Sequence, residues 1–273
     1  MQVTLEEQVR NPLKEKLAAG QVVLSLILRV SRGPEVAAIA ANAGFDTLYV
    51  DLEHSVLSLE TTSLLCYASR TSGLVPLVRI PATDAALIAR LLDAGAMGII
   101  APHICCAEEA RHVVTCAKYP PEGTRSVATG LPLLNYRTFP PSMANPLVNA
   151  STFVAVMIES QSALDNIEDI AAVEGVDMLF IGAGDLSTDL GIPGQWDEPK
   201  MRDAFMSIQD AATRHCKHVG IGGLAGQPDL LQELIEKGAR FLSLGTDLGL
   251  LSTALEEKAK SGRDLFNKKE DQS

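Results

Sequence analysis

Along the chain, short apolar runs recur, and amphipathic stretches fill the spaces between them. The runs are V-V-L-S-L-I-L (22–28), T-L-Y-V-D-L-E (47–53), P-L-V-R-I (76–80) and G-I-I-A-P-H-I (98–104). They continue as F-V-A-V-M-I-E (153–159), D-M-L-F-I-G-A (177–183), H-V-G-I-G-G (218–223) and F-L-S-L-G-T-D (241–247). Continuous apolar character, in place of strict alternation, predicts strands covered on both faces, as in a parallel sheet. Helices are predicted over 33–44, 85–95, 108–117, 163–173 and 228–238. The first has Pro near its start, and several end in A-G or K-G just before a strand, the signature of a repeating βα unit.

Eight such units in roughly 250 residues predict an α/β fold, a (β/α)8 TIM barrel. A doubly wound open sheet is the weaker alternative, because no G-x-G-x-x-G follows the first strand. The expected organisation is an N-terminal extension or helix over 1–20, a single barrel domain over 21–257, and a charged tail over 258–273 that frays. The stretch 119–152 is rich in Pro, Asn and Ser and breaks the pattern. A loop of that length in a compact domain is usually functional or disordered, and an ordered lid or a subunit contact is expected here.

Composition narrows the function classes. The net charge is −11 and no basic block exists beyond Lys268–Lys269, which argues against a nucleic-acid partner. No apolar run is long enough to span a bilayer, and the first residues lack an apolar signal core, so a cytoplasmic protein is expected, without a membrane partner. Five cysteines without a C-x-x-C pair indicate neither a disulfide framework nor a zinc ribbon.

In a barrel of this kind, chemistry sits at the C-terminal ends of the strands. Those ends carry Asp51, Glu53 and His54 on the second, Arg79 on the third, His103 on the fourth, Glu159 on the fifth and Asp185 on the sixth. Strands seven and eight carry the small residues Gly222, Gly223 and Gly245. Glu159 and Asp185 each follow an apolar strand. Two enclosed carboxylates converging there would require a cation between them, and oxygen ligands suit Mg2+ or Mn2+. Each acid alone could equally cap a helix. Arg79, in the apolar run V-R-I-P, needs an anion, either a substrate or a protein carboxylate such as Asp51 or Glu53. The turn G-A-G-D-L-S could receive a substrate carboxylate on its N–H groups through Gly184 and Asp185. None of the ten lysines ends a predicted strand, which excludes imine-forming carbonyl chemistry.

Several spaced motifs together resemble a known family. Y-V-D-L-E-H-S, L-V-R-I-P, L-L-D-A-G-A-M-G-I-I-A-P, Y-P-P-E-G-T-R-S, V-M-I-E-S and V-E-G-V-D-M-L-F-I-G-A-G-D-L-S occur in the order found in the HpcH/HpaI aldolase/citrate lyase family. The resemblance covers about residues 20–255 and is strongest to the class II pyruvate aldolase branch, with macrophomate synthase also similar. It implies a divalent-metal-dependent barrel using Mg2+ or Mn2+, with Co2+ a further candidate, that forms a pyruvate enolate. It implies Glu159 and Asp185 as metal ligands and Arg79 as the group that binds the keto acid. It further implies His54 as acid/base paired with Asp93, and Asp51 and Glu53 as hydrogen-bond partners of waters on the metal. It also implies a homo-oligomer, commonly a hexamer, with the last helix packed on a neighbour. Two departures stand out: Met157 where the family often has Gln, and Gly182–Ala183–Gly184–Asp185 in place of G-P-x-D. Both alter the substrate pocket and neither removes a ligand.

The expected activity is therefore a lyase that cleaves a 4-hydroxy-2-oxo acid to pyruvate and an aldehyde. The same enolate would serve an oxaloacetate decarboxylase or a macrophomate-synthase-like enzyme. From another class, a non-catalytic barrel that binds a small carboxylate is the remaining alternative.

Overall fold

The computed structural model describes residues 4–270, with side chains to residue 265. Eight strands close into a parallel barrel in chain order: β1 (Val23–Leu28), β2 (Thr47–Asp51), β3 (Val75–Arg79), β4 (Gly98–Ala101), β5 (Phe153–Ile158), β6 (Met178–Gly182), β7 (His218–Gly222) and β8 (Phe241–Thr246). Each expected strand is present. Helices α1 (Leu5–Val9) and α2 (Pro12–Ala18) precede the barrel. Around it follow α3 (Glu35–Asn42), α4 (Leu59–Thr71), α5 (Ala85–Asp93), α6 (Ala107–Ala117), α7 (Pro141–Ser151), α8 (Gln161–Asp165), α9 (Ile167–Ala171), α10 (Ala183–Asp189), α11 (Pro199–Arg214), α12 (Pro228–Glu236) and α13 (Asp247–Glu270).

Alternation along each strand splits the apolar residues into two cores. Outward side chains such as Leu48, Val50, Val78, Ile99, Val156 and Ile181 pack under the helices. Inward ones such as Tyr49, Leu77, Ile100, Phe153, Phe180 and Phe241 fill the barrel. There Phe180 stands edge-on to both Tyr49 and Phe241, with centroids 6.1 and 5.9 Å away, an arrangement aromatic quadrupoles favour. Leu5, Val9, Leu13 and Leu17 of α1 and α2 join this inner core. They close the N-terminal end of the barrel, with Asn11 Nδ2 donating to the carbonyl of Ser151 at 2.7 Å.

Three differences from the sequence expectation have physical causes. The segment 119–152 connects the end of α6 to the start of β5, so it lies at the N-terminal end, against α1 and α2, and is no lid over its own barrel mouth. Much of it is ordered, including α7, which begins with Pro141 at its first turn. The helix expected over 163–173 breaks at Asn166, whose side chain donates to the carbonyls of Cys105 and Ser162. The charged tail continues α13 to Glu270, where the Ala, Leu, Glu and Lys of A-L-E-E-K-A-K favour helix; residues 271–273 lie outside the described residues.

The seam between β1 and β8 is irregular. Ser25 pairs with Ser243 and Ile27 with Thr246, so β8 carries an extra residue there. Gly245 adopts φ +125° in that bulge, a conformation that suits glycine.

Candidate active site

The strand ends place the predicted residues around one mouth. Asp51 and Arg79 are register partners on β2 and β3, so their side chains emerge together. Arg79 Nε and Nη2 donate to the two Asp51 oxygens at 2.9 and 2.5 Å, a bidentate pair. Arg29, the residue after β1, donates from Nε to Asp51 Oδ2 at 2.7 Å. The backbone N–H groups of Glu53 and His54 complete the shell of Asp51, which is fully buried. Burial alone would raise the Asp51 pKa, but the hydrogen bonds from Arg79 and Arg29 outweigh it and hold the carboxyl below its ordinary value. Five donors thus occupy this carboxylate. It anchors two guanidinium groups.

Glu53 faces the mouth. It forms an ion pair with Arg79 Nη1 at 2.9 Å and a hydrogen bond with His103 Nε2 at 2.7 Å, with His54 Nε2 at 3.9 Å. His103, an open candidate in the sequence, is a bridge. Its Nδ1 lies 2.9 Å from Glu159 Oε1, and its backbone N–H donates to the same oxygen at 2.6 Å. That N–H is presented by a left-handed backbone, φ 57°, which costs a non-glycine residue about 1 kcal/mol or more.

Glu159 follows β5, and its Oε2 is buried without a hydrogen-bond partner among the described residues. Burial raises the Glu159 pKa, and the charges of Asp185 and Glu53 add to the effect against the opposing His103 N–H. The neighbouring strand leaves room for this carboxylate: a Cβ on Gly182 would lie 2.5 Å from Oε2. Asp185, in the first turn of α10, is exposed to the cavity. A buried, unpartnered carboxylate oxygen beside a second carboxylate fits a hard divalent cation. Among the described residues no three His, Cys, Asp or Glu side chains form a closed cage, so such an ion would keep positions for water and substrate.

A cavity of about 460 Å³ opens over these groups, lined by Arg79, His54 and Asp185 on one side and by Gly222, Gly245 and Thr246 on the other. A cleft of about 500 Å³ between α6 and α9 contains none of the strand-end groups. Gly184 lines the mouth cavity, with nothing within 4 Å of where its Cβ would be.

Asp93 is not brought to this site within one chain. It ends α5, at the opposite end of the barrel from His54, and accepts Arg125 Nη2 at 2.6 Å. The expected His54–Asp93 pairing is therefore absent inside a single protomer. Two residues escaped the sequence reading. Arg29 carried a legible signal, an arginine directly after an apolar strand. Asp247 did not reveal its role: it gathers the N–H groups of residues 29–31, a contact across the whole length of the chain.

A (β/α)8 barrel with paired acids and a buried arginine at its mouth is the setting in which the comparisons fall. The profile of the HpcH/HpaI aldolase/citrate lyase family matches residues 25–254. A 4-hydroxy-4-methyl-2-oxoglutarate aldolase of Hapsidospora irregularis is 39% identical over 252 residues, covering 91% of this chain and 93% of that protein. The 2-keto-3-deoxy-L-rhamnonate aldolase of Escherichia coli K12 is 35% identical over 260 residues, covering 93% and 95%. The crystal structure of an HpcH/HpaI aldolase from Desulfitobacterium hafniense DCB-2 superposes with a TM-score of 0.86 at 34% identity, covering 91% of this chain and 95% of that one. The chain belongs to the HpcH/HpaI aldolase/citrate lyase family. It is an aldolase, a carbon–carbon lyase.

Proposed function

We propose that the protein cleaves a 4-hydroxy-2-oxo acid to pyruvate and a second carbonyl compound through a pyruvate enolate, with a divalent cation held by Glu159 and Asp185. The observation that carries this is the buried, unpartnered Glu159 Oε2, within electrostatic reach of Asp185, which lines the mouth cavity together with Arg79. Mg2+ or Mn2+ suits the oxygen donors, with Co2+ a further candidate. When bound, the ion supplies Lewis acidity toward the 2-oxo acid.

The protein residues divide the remaining work. Arg79 donates two of its five N–H groups to Asp51 and pairs its Nη1 with Glu53, and its remaining N–H groups are for substrate. These stabilise the negative charge that develops on the 2-oxo oxygen as the C3–C4 bond breaks. Its own charge is secure: burial would lower the pKa, but the Asp51 hydrogen bond raises it above the ordinary arginine value. His54, half-exposed on the cavity wall, takes the C4 hydroxyl proton through a water molecule. Glu53 orients His103 and Arg79. The open backbone at Gly184 accepts the substrate carboxylate.

The aldolases similar to this chain act on small oxo acids by their names, and the partners proposed here are pyruvate or oxaloacetate and an aldehyde or ketone. A homo-oligomer, a hexamer by resemblance, is proposed from α13. Leu248, Leu250, Leu251, Leu255 and Leu265 on this helix are each 48–68% exposed, an apolar surface that a neighbouring subunit would cover. Asp93 can serve His54 only from such a neighbour. We place the enzyme in the cytoplasm; no helix among the described residues is long and apolar enough to cross a membrane.

The test is exchange of the pyruvate C3 protons in heavy water with added Mn2+, comparing wild type with Arg79→Ala. Metal-dependent exchange lost in the variant is expected. Absence of exchange in the wild type removes the enolate and with it the proposal.

A further inference from the structure

Three hydroxyl groups stand in a row inside the barrel, below the residues that carry the chemistry. Ser25 of β1 is the register partner of both Thr47 on β2 and Ser243 on β8. Alternation along the strands fixes their direction. Val23, Tyr49 and Phe241, each two residues from one of the three, belong to the inner core, so Ser25, Thr47 and Ser243 also point inward. Ser25 and Thr47 are fully buried and Ser243 is 4% exposed. Among the described residues, none of the three hydroxyl oxygens has a hydrogen-bond partner.

A hydroxyl buried without a partner forfeits the bonds it makes with water, and the interiors of folded proteins rarely leave one so. Valine would fit such a place at no such loss, and Val75, the partner of Thr47 on β3, is the valine that ends the row. The strand spacing shows why the hydroxyls do not satisfy one another. Adjacent strands lie about 4.8 Å apart, whereas hydroxyl oxygens bond at about 2.8 Å. Two such bonds meeting near the tetrahedral angle span about 4.6 Å. Each gap beside Ser25 is therefore one water molecule wide.

The row is open at one end. Ser243 lines the mouth cavity, as do Ile27 and Tyr49, the next inward residues on β1 and β2. The extra residue of β8 falls between the pairings of Ser25 and Ile27, directly above the row, where a bulge interrupts the ladder.

We propose that Ser25, Thr47 and Ser243 form an internal water site, with one water bridging each gap and Ser243 joining the pair to the mouth cavity. Each water has two hydroxyl partners, enough to hold a buried water in place. Ser25 serves both. The site is independent of the aldolase reading: it concerns the hydration of the barrel interior and requires neither metal nor substrate.

The experiment compares the full-length wild type with Thr47→Val, which exchanges a hydroxyl for a methyl group of similar size. In crystals of the wild type, a water is expected within hydrogen-bond distance of Thr47 and Ser25, and a second between Ser25 and Ser243. In Thr47→Val the first is lost and the second stays. The melting temperature of Thr47→Val is expected to fall by about 2–4 °C, the effect of one hydrogen bond in a chain of this size. A dry row predicts the reverse, since the substitution then removes an unpaired hydroxyl and raises the melting temperature. Oxygen-17 relaxation dispersion counts long-lived waters in solution: one fewer is expected in Thr47→Val and in Ser243→Ala, and two fewer in Ser25→Ala. Wild-type crystals without water in either gap, or a Thr47→Val protein that melts above wild type, overturn the assignment. The wild-type measurements decide it even if a variant does not fold.

Discussion

The two halves of the barrel mouth are built on opposite principles. Over β2 to β5 the strand ends crowd Asp51, Glu53, Arg79, His103 and Glu159 into one chain of hydrogen bonds and ion pairs. Over β7 and β8 the same positions are Gly222, Gly223 and Gly245, which border the mouth cavity, and a Cβ at Gly245 would meet nothing within 4 Å. One half fixes charge and the other provides room. The difference teaches that chemistry and substrate scope are separable in this mouth: the charged half sets which bond breaks, and the glycine half sets how large the departing group is.

The comparison breaks most completely if the metal is not part of the charged half. Chelation with EDTA is expected to bring pyruvate C3 exchange to background, and Mn2+ to restore it; exchange that persists after exhaustive chelation refutes the role given to Glu159 and Asp185. Next in size is Arg79→Ala. Loss of a donor to a developing oxyanion costs roughly 10²- to 10³-fold in turnover. The exchange rate, followed by NMR, is expected to fall by that order, and a drop below tenfold would demote Arg79 to a structural partner of Asp51.

Asp51→Asn tests whether the charged half is also a stability element. It leaves Arg79, only 6% exposed in its side chain, with Glu53 as its remaining anion, and costs about 2 kcal/mol in denaturant unfolding. The pH dependence has a defined sign. Because the folded-state pKa of Asp51 lies below its ordinary value of 3.8, its stabilisation is complete well above 3.8 and is lost as pH falls through the lowered value. The stability gap between wild type and Asp51→Asn is therefore expected to be constant from neutral pH down to mild acid and to close below 3.8. A gap that closes near neutrality contradicts this. The smallest effect belongs to the open half. Gly226→Leu fills part of the cavity and is expected to reduce kcat/KM about tenfold, the order of one or two methylenes of lost space, for a long aldehyde and less for a short one. Equal losses for both would show that the open half does not set acceptor size.

The architecture was legible because parallel strands buried on both faces are written as continuous apolar runs, and all eight lie within two or three residues of their expected bounds. Helix α4 was harder: L-E-T-T-S-L-L-C-Y-A-S-R-T mixes β-branched and polar residues and has no clear apolar stripe. At the site, residue identities were legible and partnerships were not. That Asp51 meets Arg79 depends on the β2–β3 register, and that it also meets Arg29 depends on ring closure around β1. The placement of Asp93 was in principle readable, since a helix that ends in D-A-G before a strand ends at the floor of a βα barrel.

Asp247 has a consequence for the barrel as a closed object. A ring of strands has one join where the first and last strands must meet, and here that join is uneven, with one extra residue on β8 between its pairings with Ser25 and Ile27. Just beyond the irregularity, one carboxylate at the start of α13 draws in three successive N–H groups of the chain leaving β1. It works as a clasp fastened above a crooked seam. Its grip ends on the backbone of Arg29, so the first and last strands of the barrel are tied together at the rim of the mouth cavity.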